Sequence, residues 1–316
     1  MKPAPFDYLR PDSAEEALAA LAEEGDAARI LAGGQSLAPM LNMRVATPRL
    51  LVDIGRLAEL RTVALRDGAL EVGAAVTQAE LELATAAGPH PPAAGAPGPS
   101  VPRLRGRADM AALDHLPPPP LAGEGRGGGF SHPLLAAALP HIGHDQTRSR
   151  GTVCGSIAHA DPSAELPLCL VALGGTVLLR SERRRREMAA DEFLLGALAT
   201  ACEPDEMVEA VRFPLPRPGA GHAFREVARR HGDFALAAFA AIATAEGLRL
   251  AVGGVADRPA ARDFPDLAGD ALDDALDEFA WDLDARDDPH ATARYRRELV
   301  RRVGRRTIEE ARSCRF

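Results

Sequence analysis

Apolar positions recur at helical spacing soon after the chain begins, with Ala17, Leu18 and Leu21 on one stripe. Ser13 is placed to cap that helix, Glu16 follows three residues on, and Gly25 is predicted to close it. The pattern then shortens. "ARIL" predicts a buried strand running into "AGGQS", and "RLLVDI" (Arg49 to Ile54, after Pro48) predicts a second. "RTVAL", Asp67-Gly68 and "ALEVGA" carry the two alternating runs and the turn of a β-hairpin. Thr77 to Leu83 starts another helix.

From Ala86 to Gly129 no apolar period survives and Pro and Gly dominate, so 86–129 is read as a disordered insertion. Lengthening a short connection by about three doublings costs roughly 2 kcal/mol of closure entropy, which a domain of this size tolerates. Helical pattern returns at "HPLLAAALPHIG". "ELPLCLVALGGTVLLRSERRRREM" predicts a helix, a Gly174-Gly175 turn, a strand and, at "SERRRREM", a hairpin turn. Val208 to Phe213 predicts a further strand, and "PLPRPGAG" (Pro214 to Gly221) reads as a domain boundary. Beyond it come strands and a hairpin turning at Glu246-Gly247. A final helix carries Tyr295, Leu299 and Val303 at four-residue spacing, and the arginines from Arg294 to Arg306 are expected to form a solvated face.

Composition narrows the classes. At 316 residues the chain has room for two domains, and 46% hydrophobic with 26% charged residues is ordinary globular usage. A formal net charge of -8 argues against nucleic acid as a partner. No apolar run reaches the roughly 18 residues of a membrane span, and the N-terminus lacks the apolar core of a signal peptide, so a cytoplasmic protein is expected. Cys154, Cys169, Cys202 and Cys314 form no Cys-x-x-Cys pair; reduced, structural thiols are expected, and no metal site. His159 and His231 are read as structural or surface residues.

Two small-residue stretches carry the chemistry. Gly33, Gly34 and Ser36 follow a strand, where glycine allows positive φ and close approach of backbone N–H groups to an anion. Neither a Gly-Lys-Ser/Thr P-loop nor G-x-G-x-x-G is present. In "RGTVCGSIAHADPSAELP" a small-residue turn precedes Asp161-Pro162, read as N-cap and first residue of a helix, with Glu165 four residues on and close to the same face. The two carboxylates suit an acid/base pair or hydrogen bonds to ligand hydroxyls. No nucleophile accompanies them, and two such turns favour a long anionic ligand such as a dinucleotide.

"LAGGQSLAPMLNMRVATPRLLVDI" and "TRSRGTVCGSIAHADPSAELP", in that order, resemble the FAD-binding medium subunit of the molybdenum hydroxylases, the group of xanthine and carbon monoxide dehydrogenases. "FREVARRHGDFALAA", "LRLAVGGVADRP" and "YRRELVRRVGRR" resemble that family's C-terminal domain. The resemblance implies an α+β fold. An FAD-binding domain of PCMH type, with two α/β subdomains, spans 1–213, and an antiparallel sheet with helices, like the CO dehydrogenase flavoprotein C-terminal domain, spans 214–316. It implies FAD contacts at Ala32, Gly33, Gly34, Gln35, Ser36 and Leu37, and at Thr152, Gly155, Ser156, Asp161 and Glu165. Arg225 and Phe234 match positions near the flavin.

It further implies an oxidoreductase subunit with no catalytic side chain of its own. [2Fe–2S] clusters on a small subunit and molybdopterin on a large subunit would feed FAD, which passes electrons to NAD, a quinone or oxygen in a heterotrimer or its dimer. A stand-alone flavin oxidase and a non-catalytic assembly remnant are the rival expectations. Cys154 departs from the family's glycine; a thiol there crowds the cofactor, forces another φ, or is tolerated, the last being the expectation.

Overall fold

The computed structural model describes residues 2–86 and 130–315, so the expected insertion lies outside it except for Ala86. Strands β1 (Asp7–Leu9), β2 (Ala28–Leu31) and β3 (Leu50–Asp53) form a parallel sheet in the order β1-β3-β2. Helix α1 (Ala14–Glu24) joins the first two and buries Ala14, Ala17, Leu18 and Leu21, the predicted stripe. Ser13 Oγ accepts the Glu16 N–H at 3.1 Å, and Gly25 ends the helix at φ 52°. Short helix α2 (Leu37–Asn42) leads from β2 back towards β3.

The second sheet is antiparallel throughout. It contains β4 (Val63–Arg66), β5 (Ala69–Gly73), β6 (Thr176–Arg180) and β7 (Arg185–Ala189); β8 (Leu194–Gly196) and β9 (Ala199–Thr200) pair separately, and β10 (Met207–Pro214) completes the order β4-β5-β10-β6-β7. Asp67 and Gly68 have φ 50° and 76°, the twin positive values of a type I′ hairpin turn. Helices α3 (Gln78–Ala86), α4 (Pro133–Ala138), α5 (Asp145–Arg148), α6 (Val153–His159), α7 (Glu165–Leu173) and α8 (Ala190–Phe193) accompany this sheet. Thr77 and Glu80 cap α3 reciprocally: Glu80 Oε2 accepts the Thr77 N–H at 2.9 Å, and Thr77 Oγ1 accepts the Glu80 N–H at 3.3 Å.

A meander of β11 (Gly221–Ala228), β12 (Ala235–Ala243), β13 (Leu248–Gly253) and β14 (Ala260–Phe264) forms the third sheet. One face receives α9 (Gly269–Asp282), α10 (Ala293–Leu299), a π turn over Val300–Gly304 and α11 (Arg305–Ser313). The other face receives α7, which also packs on the five-stranded sheet. An apolar helix held between two sheets is buried all round, and every residue of α7 from Glu165 to Ala172 is buried. That placement carries a carboxylate, Glu165, into the interior at the helix N-terminus.

Two expectations fail here. Asp161 does not cap a helix: its Oδ1 accepts the Ser163 N–H at 2.8 Å in a local turn, and α7 starts only at Glu165 with Ala164 as N-cap. Glu165 and Asp161 therefore do not share a helical face. The arginines from Arg294 to Arg306 are not uniformly solvated either, because Arg296 is only 5% exposed. Its guanidinium reaches main-chain carbonyls that the sheet leaves free at Leu236 and Gly254.

Candidate functional site

The two small-residue stretches meet. A Cβ placed on Gly33 would lie 2.2 Å from Arg150 O and 2.7 Å from Gly151 Cα, so only glycine lets the two chains touch at this point. Gly34 then turns at φ 71°. Ala38 N–H donates to Gly34 O at 3.0 Å, the first helical bond, so the N–H groups of Gly34, Gln35, Ser36 and Leu37 precede any intrahelical partner. Gln35 and Ser36 are exposed and Ala32 half-buried, which leaves this row of donors open to a ligand.

The second stretch is a helix rather than a turn. Thr152 caps α6, its Oγ1 accepting the Gly155 N–H at 3.1 Å. Gly155 is needed there because a Cβ would fall 2.6 Å from that hydroxyl. Val153 N–H donates to Val76 O at 3.0 Å and Gln78 N–H to Gly151 O at 2.8 Å, fixing the segment to the end of β5 and the start of α3. Beneath it lies Gln78 Oε1, buried and with no hydrogen-bond partner among the described residues. Ser156 is half-buried on the same helix, and Ala160 ends it at φ 51°.

Glu165 does not find its partner in Asp161. Glu226, from β11, faces it across the junction of α7 and the third sheet, its Oε2 buried and with no hydrogen-bond partner among the described residues. Burial, the neighbouring Glu226 charge and Asp161 raise the Glu165 carboxyl to about 8, and burial raises Glu226 to about 7. The pair holds a proton well above the usual carboxylate range. Glu226 was missed in the sequence, although His222, Phe224 and Glu226 alternate on the inward face of β11, and a charge at an inward strand position is a signal.

Arg225 and Phe234 are not brought into this group. Arg225 projects from the opposite face of β11 and pairs with Glu310 of α11 at 2.7 Å. Phe234 is 77% exposed in the loop before β12. His231, in the same loop, is exposed beside His141 and His144, with ring centroids 6.4 and 6.5 Å away.

Cys154 points away from both stretches. It is buried, donates from Sγ to Val72 O at 3.4 Å, and burial raises its thiol far above the ordinary range. The substitution is accommodated by the core and leaves the ligand face clear. Cys154→Gly is therefore expected to cost about 1 kcal/mol of stability, through added backbone freedom in α6, with no gain in cofactor uptake. Thermal melting and flavin retention of the variant check this.

A bipartite cradle of glycine and free backbone N–H groups, an unpartnered buried amide oxygen and an acid at a helix start fit an extended dinucleotide, and with this fold they define an FAD-binding protein of the molybdopterin dehydrogenases. Residues 4–216 match the model of the FAD binding domain in molybdopterin dehydrogenase, and residues 222–311 that of the CO dehydrogenase flavoprotein C-terminal domain. The chain belongs to this family, the FAD-binding medium subunits of the molybdenum hydroxylases, and is an oxidoreductase subunit.

Caffeine dehydrogenase subunit beta of a Pseudomonas species is 35% identical over 251 residues, covering 79% of this chain and 71% of that one. The 6-hydroxypseudooxynicotine dehydrogenase complex subunit alpha of Paenarthrobacter nicotinovorans is 32% identical over 324 residues, covering 98% and 96%. Reconstituted CO dehydrogenase from Oligotropha carboxidovorans superposes with a TM-score of 0.80 at 28% identity, covering 99% of this chain and 100% of that one. Among the described residues no helix is long and apolar enough to cross a membrane.

Proposed function

We propose that this chain is the electron-output subunit of its complex. It takes electrons from [2Fe–2S] clusters on a small partner subunit, fed in turn by a molybdopterin-bearing large subunit, and passes them through FAD to NAD, a quinone or oxygen. The observation that carries the reading is the contact of Gly33 with Arg150 and Gly151, which makes one cradle of two distant loops. In this reading Ala32 to Leu37, with Thr152, Gly155 and Ser156, bind the dinucleotide through backbone donors and hydroxyls, while Asp161 and Glu165 line its edge. FAD bound there supplies a carrier able to take electrons singly and give them up in pairs. Residues 1–213 form the cofactor domain and 214–316 the second unit, whose sheet carries Glu226 to Glu165. The location proposed is the cytoplasm, a reading supported by four free thiols, the state a reducing compartment maintains.

The test is the visible spectrum of the purified chain after incubation with FAD and desalting. Flavin bands near one per chain are expected. A colourless chain, alone and with its partner subunits, overturns the cofactor assignment.

A further inference from the structure

Arg296 stands among exposed and half-buried arginines, and is the one between Arg294 and Arg306 that is fully buried. It lies on α10, whose N-cap Thr292 accepts the Tyr295 N–H at 3.2 Å. Its Nη1 donates to Leu236 O at 2.7 Å and also to Gly254 O, and its Nη2 reaches Asp288. Asp288 is itself tied down, its Oδ1 accepting the N–H groups of His290 and Ala291 at 2.8 Å each. One planar cation therefore clamps two carbonyls at the ends of β12 and β13, a task suited to a rigid fork of donors.

The clamp does not stop at the sheet. Gly254 adopts φ 74°, and its backbone packs so closely that a Cβ would lie 3.0 Å from Ala235 O. With its carbonyl held by Arg296, its N–H donates to Pro162 O at 2.7 Å. Pro162 sits inside the turn that Asp161 closes, and Ala164 N–H donates back to Asp161 O at 3.1 Å just before Glu165. The path from Arg296 to this loop is thus one residue long, and it runs through main-chain bonds rather than adjustable side chains.

We propose that Arg296 is a positioning residue for the cofactor: by holding the Gly254 carbonyl it sets the Gly254 turn, and through Pro162 the loop that presents Asp161 and Glu165. The proposal rests on the reading of that loop as part of the FAD site. It also gives the second unit a part in cofactor binding that needs no side-chain contact with the flavin.

Three variants of the full chain test it: Arg296→Met, Arg296→Lys, and Leu276→Ala, the last a core truncation in α9 that removes none of the bonds between Arg296, Gly254 and Pro162. Hydrogen exchange of the FAD-free protein is read at residues 161–165 and 253–255, and FAD affinity by fluorescence titration well below the melting point. Arg296→Met is expected to speed exchange in both segments and to weaken FAD binding about tenfold. Arg296→Lys is expected to recover part of each effect. Leu276→Ala is expected to lower the melting temperature while leaving both readouts at wild-type values.

Wild-type exchange at residues 161–165 in Arg296→Met overturns the proposal. So does unchanged FAD affinity, or an equal loss of affinity in Leu276→Ala. If the wild-type chain takes up no FAD, either alone or with its partner subunits, the cofactor reading itself falls. The exchange comparison, made without FAD, then still decides whether Arg296 controls the loop.

Discussion

Gly33→Ala is expected to weaken FAD binding by about fivefold to 150-fold, the range that about 1–3 kcal/mol of overpacking represents. The new methyl carbon would stand 2.2 Å from Arg150 O, and neither side can yield cheaply because both are backbone. The two loops must separate, and the row of N–H groups from Gly34 to Leu37 moves relative to α6. The informative control is Gly68→Ala. Gly68 has positive φ, 76°, unlike Gly33, and nothing lies within 4 Å of its added Cβ, so this variant strains a hairpin turn that is no part of the cradle. Titration of each variant with FAD, alongside its melting curve, separates lost stability from lost binding. If Gly33→Ala binds FAD like the wild type while Gly68→Ala does too, the two-loop cradle is wrong.

The second large effect concerns pH. In the unfolded chain the Glu165 and Glu226 carboxyls titrate near 4.5, whereas in the folded chain burial, with Glu226 and Asp161 close by, raises Glu165 to about 8, and burial raises Glu226 to about 7. Between these values the folded state keeps protons that the unfolded chain has released. Stability is therefore fully present below about pH 4.5 and falls as pH rises towards 8, by about 1.4 kcal/mol per pH unit for each retained proton. Glu226→Gln replaces one acid by an amide that donates to an ionised Glu165. The variant is expected to melt like the wild type near the acid end of the window, and to be more stable by about 1–3 kcal/mol at the alkaline end. Melting temperatures across this range decide it. Parallel curves for the two proteins would mean that the carboxyls do not share a proton.

The elements that were legible in the sequence are those whose causes are local. Ser13, the apolar stripe of α1 and Gly25 describe one helix without reference to anything else, as Asp67-Gly68 describes one turn. Asp161 is misleading because a helix cap and a local turn use the same chemistry, a carboxylate oxygen accepting an N–H a few residues on; the choice between them falls to the packing of the downstream residues. Helix α9 has Leu272, Leu276 and Phe279 at near-helical spacing but begins at Gly269, after an Ala268 N-cap that makes no side-chain bond, and is dense in aspartate, so its start carries no signal. The π turn at Val300–Gly304 answers to the sheet: a Cβ on Gly304 would come within 3.0 Å of Leu250 Cδ2.

At the site, the glycines were legible as small residues, Gly33 and Gly34 after a strand; Thr152 was read into a turn, and its cap on α6 was not legible. Nor was the contact between the two stretches, since Gly33 and Arg150 belong to different sheets' connections. Arg296 lay beyond local reading for the same reason: an arginine among arginines looks solvated until another element covers it. Glu226 carried a signal in its alternation with His222 and Phe224, but its partner Glu165 did not.

The meeting of Gly33 with Arg150 also fixes an order of events during synthesis. The residues on either side of that contact are separated by more than a third of the chain, and α6 rests on Val76 while Glu165 waits for β11. A nascent chain that has emerged only through the parallel sheet has half of a cradle and no affinity to speak of. Closure of so distant a pairing is slow compared with helix and hairpin formation. If the proposed cradle holds FAD, cofactor capture is a checkpoint on completed folding, and the colour of the chain would report on maturation as well as on chemistry.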